Sequence, residues 1–376
     1  MIILAAVLGI FVYGMIAAML GTIMPTFHLT DDQNGQIALA QALGLVIASL
    51  SAGPLIDNRG KKVALVLAFL LIAAALFVLP SSGGNYTVIR ACLFVQGFGG
   101  GILVTAANAL ASDIDERRRA SMLNFLNLFF GLGGLATPFI AGNLLGGNAV
   151  TLCYLTAGLT LAALAVNGLA PIPGPSGERG FKLSEASDLI GNPALGMLAI
   201  FLFLYVATEV GVWNWLVKYL MSRGIEERTA LNTLSLGFAL GLLIGRVVVS
   251  RILVKVPAIT VTLASSVLMM ATTYIMLQTS SAGMAAVAVF CAGLAMAPVF
   301  PTTLAIVADT FRRGTATAMG IVITFGWVGL AISSPIIGSI ANSTDLGTAL
   351  LLLPAASAVM ILTNLAVRPF LSRRVA

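Results

Sequence analysis

Glu209 is an acidic residue surrounded by apolar sequence. It stands about 15 residues into the stretch 194–221, which is long enough to cross a membrane. Tyr205 and Trp213 lie four residues before and after it, so the three side chains share one helix face. An ionisable group at membrane depth is costly and marks a functional site by default. A carboxylate between two aromatic rings can bind sugar hydroxyls while the rings cover an apolar pyranose face. The alternative is a protonated glutamate hydrogen-bonded to a neighbouring helix.

Two asparagines continue this series of candidate ligands. Asn124 and Asn127 begin a stripe that runs through Gly131, Gly134 and Pro138 at spacings of 3, 4, 3 and 4 residues. The glycines and the proline favour close helix packing over chemistry. The two amides can contact a polar solute, and we predict that they do.

Three further side chains complete the predicted binding site. Gln96 shares a helix face with Gly100 and is expected to reach a central cavity, and we add Gln41 and Trp327 as weaker solute contacts. Tyr13 and Asn214 are also weaker candidates but are not included in the predicted site. The pair Pro298 and Pro301 predicts a break or kink in its helix, because proline removes a backbone donor. Discontinuous helices often border transport sites, but a purely structural kink explains the pair equally well.

The composition indicates that the helices carrying these residues are embedded in a lipid bilayer. Hydrophobic residues make up 59% of the 376-residue chain and charged residues 9%, against about 25% in soluble proteins. The net charge of +6 comes from short basic clusters between apolar stretches, which indicates membrane topology and no nucleic-acid partner. One histidine and three cysteines within apolar sequence predict no metal, no cofactor and no catalytic relay. We therefore predict that the chain is not an enzyme.

The apolar stretches predict an all-α membrane protein with twelve transmembrane helices. The first is read as a retained span, since no basic segment precedes it. The stretch 170–193 contains proline, glycine and charged residues and predicts a cytoplasmic linker. Spans of about 20 residues are predicted at 2–27, 35–57, 63–80, 89–113, 120–145, 149–169, 194–221, 229–255, 257–279, 283–310, 315–341 and 346–369.

The basic residues also predict how the chain is oriented. Of the 20 lysines and arginines, sixteen fall on one side of this topology and four on the other. Because the basic side faces the cytoplasm, both termini are expected there. The prediction is a multi-pass protein of a bacterial-type inner membrane.

The sequence repeats itself once. GPLIDNRGKK at 53–62 has a counterpart in GRVVVSRILVK at 245–255, and ASDIDERRRASM at 111–122 has one in VADTFRRGTATAM at 307–319. Offsets of 192 to 196 residues are close to half the chain length and predict two pseudo-symmetric six-helix bundles, 1–169 and 194–376. The binding site is expected between them, near the membrane midplane.

The segment 53–65 resembles the loop signature of the major facilitator superfamily, G-x-L-a-D-r-x-G-r-k. This resemblance implies the major facilitator fold and a conformational gate, because charged groups at moving helix ends can act as switches. Anchoring by positive charge alone is the simpler alternative. The predicted gating residues are Gly53, Asp57, Arg59, Gly60, Lys61 and Arg246.

Four further segments, 108–142, 203–220, 241–246 and 293–305, resemble the fucose permease-like branch of fucose, glucose and galactose symporters. In that branch an acid stands four residues before a proline in the first span, and another precedes A-A-N in the fourth. The matching positions here are Gly21 and Val104. Both carboxylates that handle protons in the branch are thus missing, which leaves Glu209 as the intramembrane acid.

The leading functional hypothesis is a secondary transporter that moves a small polar solute by alternating access, with a monosaccharide as the favoured solute class. Its partners would be the solute, the lipid bilayer and a coupling proton or sodium ion, and the chain is expected to be a monomer. An exporter of amphipathic or drug-like compounds is the rival, because TPFIAG at 137–142 is near an antiporter pattern and fourteen methionines suit an adaptable cavity. A transport-like sensor is a third hypothesis, although no soluble output domain is recognisable.

Overall fold

The computed structural model describes residues 1–114, 119–172, 174, 191–253, 255–279, 281–311 and 315–372. Within these ranges, some side chains are outside the description, namely those of residues 50, 53, 54, 57, 112–114, 119–125, 127, 250, 308, 315–317, 320 and 372.

Every regular element of the described residues is helical. The α-helices are α1 (Ile2–Ile23), α2 (Asp31–Arg59), α3 (Lys61–Val78), α4 (Tyr86–Ile114), α5 (Arg119–Asn143), α6 (Ala149–Leu169), α7 (Pro193–Ser222), α8 (Glu227–Asn232), α9 (Leu240–Ile252), α10 (Ala258–Gln278), α11 (Ala282–Met296), α12 (Val299–Thr310), α13 (Thr315–Ser343), α14 (Leu346–Leu350) and α15 (Leu352–Ser372).

Ten helical runs in the described part of the chain are long and apolar enough to cross a membrane. They include Ile2–Phe27, with a mean hydropathy of 2.5, and the composite runs Glu227–Val249, Ala282–Val307 and Leu346–Leu371. The prediction of an all-α membrane protein is therefore confirmed. Of the twelve predicted spans, 35–57 lies in the 29-residue helix α2, and 120–145 corresponds to α5, whose apolar described part is Leu128–Asn143. Most of the predicted linker 170–193 lies outside the described residues.

Two irregularities interrupt the later helices. The predicted proline break is confirmed, since α11 ends at Met296 and α12 begins at Val299, with Pro298 between them. A π-helix, Thr233–Ala239, joins α8 to α9. Its sequence contains one glycine and no proline, so it gives no clear sign of an irregular helix. Widened turns of this kind occur frequently at functional sites.

The packing partners of the early helices recur among the later ones. Helix α1 packs against α4, α5 and α6, α2 against α4, and α3 against α4 and α6. In the same way α7 packs against α12, α13 and α15, α9 against α11, and α10 against α11 and α15. Three further contacts join the two sets: α1 with α7, α2 with α13, and α5 with α8, the π-helix and α9.

Glycines bring several of these helices to backbone contact. A Cβ atom on Gly21 of α1 would lie 1.8 Å from the Trp213 carbonyl oxygen of α7. A Cβ atom on Gly14 would lie 2.1 Å from the Phe130 carbonyl oxygen of α5. Close approach through small residues is the usual way in which membrane helices gain packing energy. Helix α1 is thereby fixed against α5 on one side and α7 on the other.

Candidate functional site

Glu209 lies in the middle of α7, where α7 meets α1. Its side chain is partly buried, and its carboxylate is within electrostatic range of the hydroxyl groups of Tyr205 and Tyr13. The Arg246 guanidinium of α9 is within range of the Tyr205 hydroxyl. Three separate helices thus direct polar groups to one region, as a binding site for a polar solute requires.

The Tyr205 hydroxyl is fully buried and makes no hydrogen bond of good geometry within the described residues, although Glu209 is nearby. An unsatisfied buried hydroxyl costs about 1–3 kcal/mol. A solute hydroxyl could relieve that cost by bonding to Tyr205 and Glu209 together. This orphaned group is the structural feature that most directly indicates a ligand.

Tyr13 is a weaker candidate that the sequence analysis did not include in the predicted binding site. It is 8% exposed on α1, and its ring packs 5.4 Å from the Phe130 ring of α5, measured between centroids. The same 192-residue offset that relates 53–62 to 245–255 relates Tyr13 to Tyr205. Applying the repeat to single residues would have moved Tyr13 from a weaker candidate to a predicted site residue, so the signal was present in the sequence.

Trp213 forms one wall of the site, one helical turn beyond Glu209. Its ring lies 5.1 Å from the Phe238 ring of the π-helix in an edge-on arrangement, and a Cβ atom on Gly134 would lie 3.1 Å from it. With only 9% of its surface exposed, Trp213 is wedged between α5 and the π-helix. It closes the site at this end by packing.

The backbone contact at Gly21 accounts for the missing carboxylate of the first span. Because a Cβ atom there would overlap the Trp213 carbonyl oxygen, no side chain fits in this packing. An aspartate or glutamate at this position would have to separate α1 from α7. The glycine therefore makes a helix–helix contact at the position where the resemblance to the symporter branch implies a charged group.

Gln41 and Gln96 are brought together, as a pair between α2 and α4. The Gln41 Nε2 donates to Gln96 Oε1 at 3.0 Å, and Gln96 Nε2 lies 3.5 Å from the Met19 sulfur. Gln96 is 1% exposed, whereas Gln41 is partly exposed. The pair joins three helices, and Gln41 is its more accessible member.

The other predicted solute contacts are less well defined. Trp327 is half-buried on α13 and packs against the apolar core. The side chains of Asn124 and Asn127 lie outside the described residues.

The predicted gating residues divide between a helix junction and the membrane interior. Arg59 is exposed at the end of α2, Gly60 has a φ of 86°, and Lys61 is 7% exposed at the start of α3. Arg246 falls within the predicted span 229–255 and lies inside the span Glu227–Val249, close to its end. Its range to Tyr205 puts it near the candidate site. The side chains of Gly53 and Asp57 are not among those described.

An ion pair connects the start of α2 to α7. Lys218 Nζ lies 2.6 Å from Asp31 Oδ1, and it also lies 3.5 Å from the Leu29 carbonyl oxygen. Both charged side chains are about one-quarter exposed, at 25% and 23%. Since Asp31 is the first residue of α2, this contact joins α2 to α7 and lies closer to the helix ends than the contact of Gly21 with α7.

An amide pair makes a second connection, between α5 and α8. The side chains of Asn143 and Asn232 exchange hydrogen bonds in both directions, one of them at 3.1 Å. Arg228 Nε donates to Asn143 Oδ1 at 3.3 Å, and the Ser235 hydroxyl donates to the Leu135 carbonyl at 2.6 Å. We call the ion pair and this amide pair the latch, and the end of the molecule that carries them the latch side.

Comparison with known proteins agrees with this architecture. The sequence profile of the Major Facilitator Superfamily matches residues 2–334, with a second match over 227–375. The chain belongs to the Major Facilitator Superfamily. It is therefore a multi-pass membrane protein, as its ten apolar helical runs indicate independently.

Superfamily members with known names show what the chain is similar to. It is 22% identical over 278 residues to Bypass of stop codon protein 6 of Saccharomyces cerevisiae, covering 65% of this chain and 55% of that protein. The glucose/mannose transporter GlcP of Bacillus subtilis is 25% identical, over 87% of this chain and 85% of its own length. The quinolone resistance protein NorA of Staphylococcus aureus is 25% identical over 34% of this chain and 33% of its own length.

Solved structures share the superfamily fold at low sequence identity. The nucleoside transporter NupG superposes with a TM-score of 0.81 at 13% identity, covering 97% of this chain and 98% of that one. The E. coli fucose:proton symporter FucP gives a TM-score of 0.67 at 19% identity with the same coverage. These relatives and neighbours are mostly membrane transporters, and the predicted resemblance to the sugar-transporting branch is confirmed.

Proposed function

We propose that this protein is a secondary transporter that moves a small polar solute across the membrane by alternating access. The favoured solute class is a monosaccharide. The observation that carries the proposal is the group of Glu209, Tyr13 and Tyr205 where α1 meets α7, with the Tyr205 hydroxyl unpaired. Hydroxyl and carboxylate groups beside aromatic rings suit a polyhydroxylated ligand. The similarity to a glucose/mannose transporter supports the same solute class.

The proposed architecture is two six-helix bundles, residues 1–169 and 194–376, joined by a cytoplasmic linker. The recurring packing partners of α1 to α6 and α7 to α15 support it. The split of basic residues supports cytoplasmic termini in a bacterial-type inner membrane. With this orientation the latch side is the outer side. Reporter fusions after Asn85 and after Ala376 test the topology, and equal activity at both positions would contradict it.

The latch supports a state closed toward the outside. Asp31 with Lys218 and Asn143 with Asn232 join the two bundles, and all four residues lie on the latch side. Alternating access then requires the latch to break as the outer side opens. The junction of Arg59, Gly60 and Lys61, with Asp57, would hold the opposite gate.

The proposed mode of transport is facilitated movement, with Glu209 binding solute. The two positions that carry carboxylates in the related symporters are Gly21 and Val104 here, and Gly21 has no room for a side chain. A symporter also needs its proton site coupled to its gates. Glu209 is the remaining candidate for that role, so uptake under an imposed pH gradient decides between the two modes.

Uptake into proteoliposomes tests the proposed function. Purified protein is reconstituted and offered a panel of radiolabelled hexoses, pentoses, nucleosides and lipophilic dyes, each with counterflow as a second assay. We expect saturable uptake and counterflow of at least one monosaccharide. Transport of dyes without any sugar would refute the monosaccharide assignment and favour the exporter.

The exporter of amphipathic compounds is the second candidate. The match to NorA over 34% of the chain favours it, together with the largely apolar walls of the site around Trp213 and Phe238. A thermal-shift screen in detergent separates the two, because sugars should stabilise a transporter of monosaccharides and leave an exporter unchanged.

A further inference from the structure

A groove opens on the membrane face of the protein between the π-helix and α11. Its volume is about 500 Å³, within the range of roughly 300–1,000 Å³ that is typical of small-molecule sites. Small residues and exposed apolar side chains line it, with polar groups at one end; the walls include Thr229, Asn232, Leu236, Gly237, Ala286 and Val287.

The groove has a closed end and an open side. Toward the membrane interior, Gly241 and Gly293 bring α9 and α11 together, each with a Cβ position 2.4 Å from a carbonyl oxygen of the facing segment. Along the groove, Leu236 is 45% exposed and Val287 is 65% exposed. Residues of that hydrophobicity on the outer surface of a membrane span face lipid. The groove therefore admits an apolar chain from the bilayer.

The other end of the groove is polar, and the cation Arg228 lies beside it, next to the acids Glu226 and Glu227. Thr229 and Asn232 line it, and Arg228 precedes them with an exposed side chain. Only the Nε group of Arg228 has a hydrogen-bond partner in the described part of the chain, namely Asn143. The outer guanidinium nitrogens are free to bind a phosphate, which arginine recognises in bidentate fashion.

We infer that this groove binds one phospholipid, with an acyl chain along the π-helix and α11 and the phosphate at Arg228. The apolar walls match the chain, and the cation at the interfacial end matches the headgroup. Because Arg228 also donates to Asn143, a bound phosphate would hold the guanidinium beside the amide pair of the latch. The lipid site stands independently of the proposed transport function, since it rests on the groove alone.

Photo-crosslinking in proteoliposomes tests this inference. The probe is phosphatidylglycerol with a diazirine in its acyl chain, diluted into phosphatidylcholine vesicles that contain the full-length protein. We expect labelled peptides to concentrate in 229–237 and 282–290. Ala286→Trp should reduce that labelling to background by filling the groove. Ala271→Trp is the matched control, because Ala271 is exposed on α10 outside the groove.

The charge at the groove mouth is tested separately. Arg228→Ala leaves the apolar walls intact and should lower groove labelling about fivefold, the effect of one basic residue beside an anionic headgroup. Arg223→Ala is the control, since Arg223 is also exposed on the latch side. A diacylglycerol probe, which lacks the phosphate, should label both proteins equally and weakly.

Several results would overturn the inference. Labelling spread evenly over the exposed faces of α10 and α11 would show ordinary lipid contact. Equal labelling of the Arg228→Ala and Arg223→Ala variants would show that Arg228 does not bind the lipid phosphate. Equal labelling by the two probes would show the same. Displacement of the probe by a lipophilic cationic dye would assign the groove to solute. Folding of each variant is checked by size-exclusion chromatography, and Arg228→Ala keeps the test open if Ala286→Trp does not fold.

Discussion

Helices α1 and α7 correspond under the 192-residue sequence offset, and of three aligned positions on them one is the same and two differ. Tyr13 and Tyr205 are the same residue, 192 positions apart. One turn further, α7 carries Glu209 where α1 has Ala17, and another turn on α7 carries Trp213 where α1 has Gly21. The first pair is symmetric, whereas the other two are not.

In the proposed two-bundle architecture, this difference would place a single site on a repeated scaffold. The matching tyrosines direct hydroxyl groups to a common region from both helices. The charge lies on α7 alone, and Gly21 on α1 leaves the space into which the Trp213 backbone packs. Chemistry is therefore concentrated on one repeat, while the other supplies close packing.

Gly21→Ala should break this comparison most severely. The new Cβ atom would lie 1.8 Å from the Trp213 carbonyl oxygen, so α1 and α7 must separate on the latch side. Overpacking of this kind costs about 1–3 kcal/mol or more, which corresponds to a shift of roughly a hundredfold toward the outward-open state. Spin labels at Asn85 and Thr344, in turns on the latch side, report the separation by pulsed electron resonance.

Gly158→Ala is the control for that experiment. Gly158 lies on α6 with nothing within 4 Å of its Cβ position, so the same substitution should leave the label distance unchanged. An unchanged distance in Gly21→Ala as well would mean that the α1–α7 contact does not need a glycine.

Glu209→Gln removes the charge that distinguishes α7 from α1 and keeps the shape of the side chain. Exchanging charged for neutral hydrogen bonds costs roughly 1 kcal/mol or more, so solute affinity should fall about tenfold. Counterflow and net uptake should both persist, without dependence on an imposed pH gradient. Glu226→Gln, at an exposed acid between α7 and α8, is the control. If the wild type accumulates solute from an acidic outside and Glu209→Gln loses only that accumulation, Glu209 is the proton carrier.

The sequence predicted those features that depend on a single residue and its local environment. A lone acid in an apolar stretch and the proline break between α11 and α12 follow from local solvation and backbone rules. The 192-residue offset also pairs Tyr13 with Tyr205, an inference that we did not draw from the sequence.

Features that depend on two helices at once could not be predicted. Gln41 and Gln96 were expected as separate solute contacts, but whether two amides meet depends on the rotation of α2 against α4. The π-helix Thr233–Ala239 likewise follows from packing, which leaves no periodic trace in the sequence.

Tyr13→Phe and Tyr205→Phe sharpen the symmetric part of the comparison. Removing one hydroxyl that binds the solute should weaken binding by about 0.5–1.5 kcal/mol, or roughly fivefold. We expect Tyr205→Phe to weaken binding more, because its hydroxyl is unpaired beside Glu209. Isothermal titration with the transported sugar measures both affinities. Tyr86→Phe, on the latch-side end of α4, is the control, and equal affinity in all four proteins would place the solute elsewhere.

The ion pair of Lys218 with Asp31 extends the comparison to the helix ends, where α7 contributes the cation and the start of α2 the anion. Pairs that are partly exposed contribute about 0.2–1 kcal/mol and are screened by salt. Asp31→Asn should therefore increase the outward-open fraction only about threefold, as measured by the Asn85 and Thr344 labels, and less at high ionic strength.

Asp32→Asn separates the ion pair from the helix dipole. Asp31 and Asp32 both lie in the first turn of α2, where a carboxylate is stabilised by the positive end of the helix, so either substitution loses that interaction. Only Asp31 contacts Lys218 in the described structure. If the latch acts through the pair, Asp32→Asn should leave the open fraction nearly unchanged.

The double variant Asp31→Lys with Lys218→Asp should then restore the closed state in part, because the charges attract again in reverse order. A failure of that restoration, with Asp31→Asn and Asp32→Asn behaving alike, would assign the effect to the helix end and leave the amide pair of Asn143 and Asn232 as the working part of the latch.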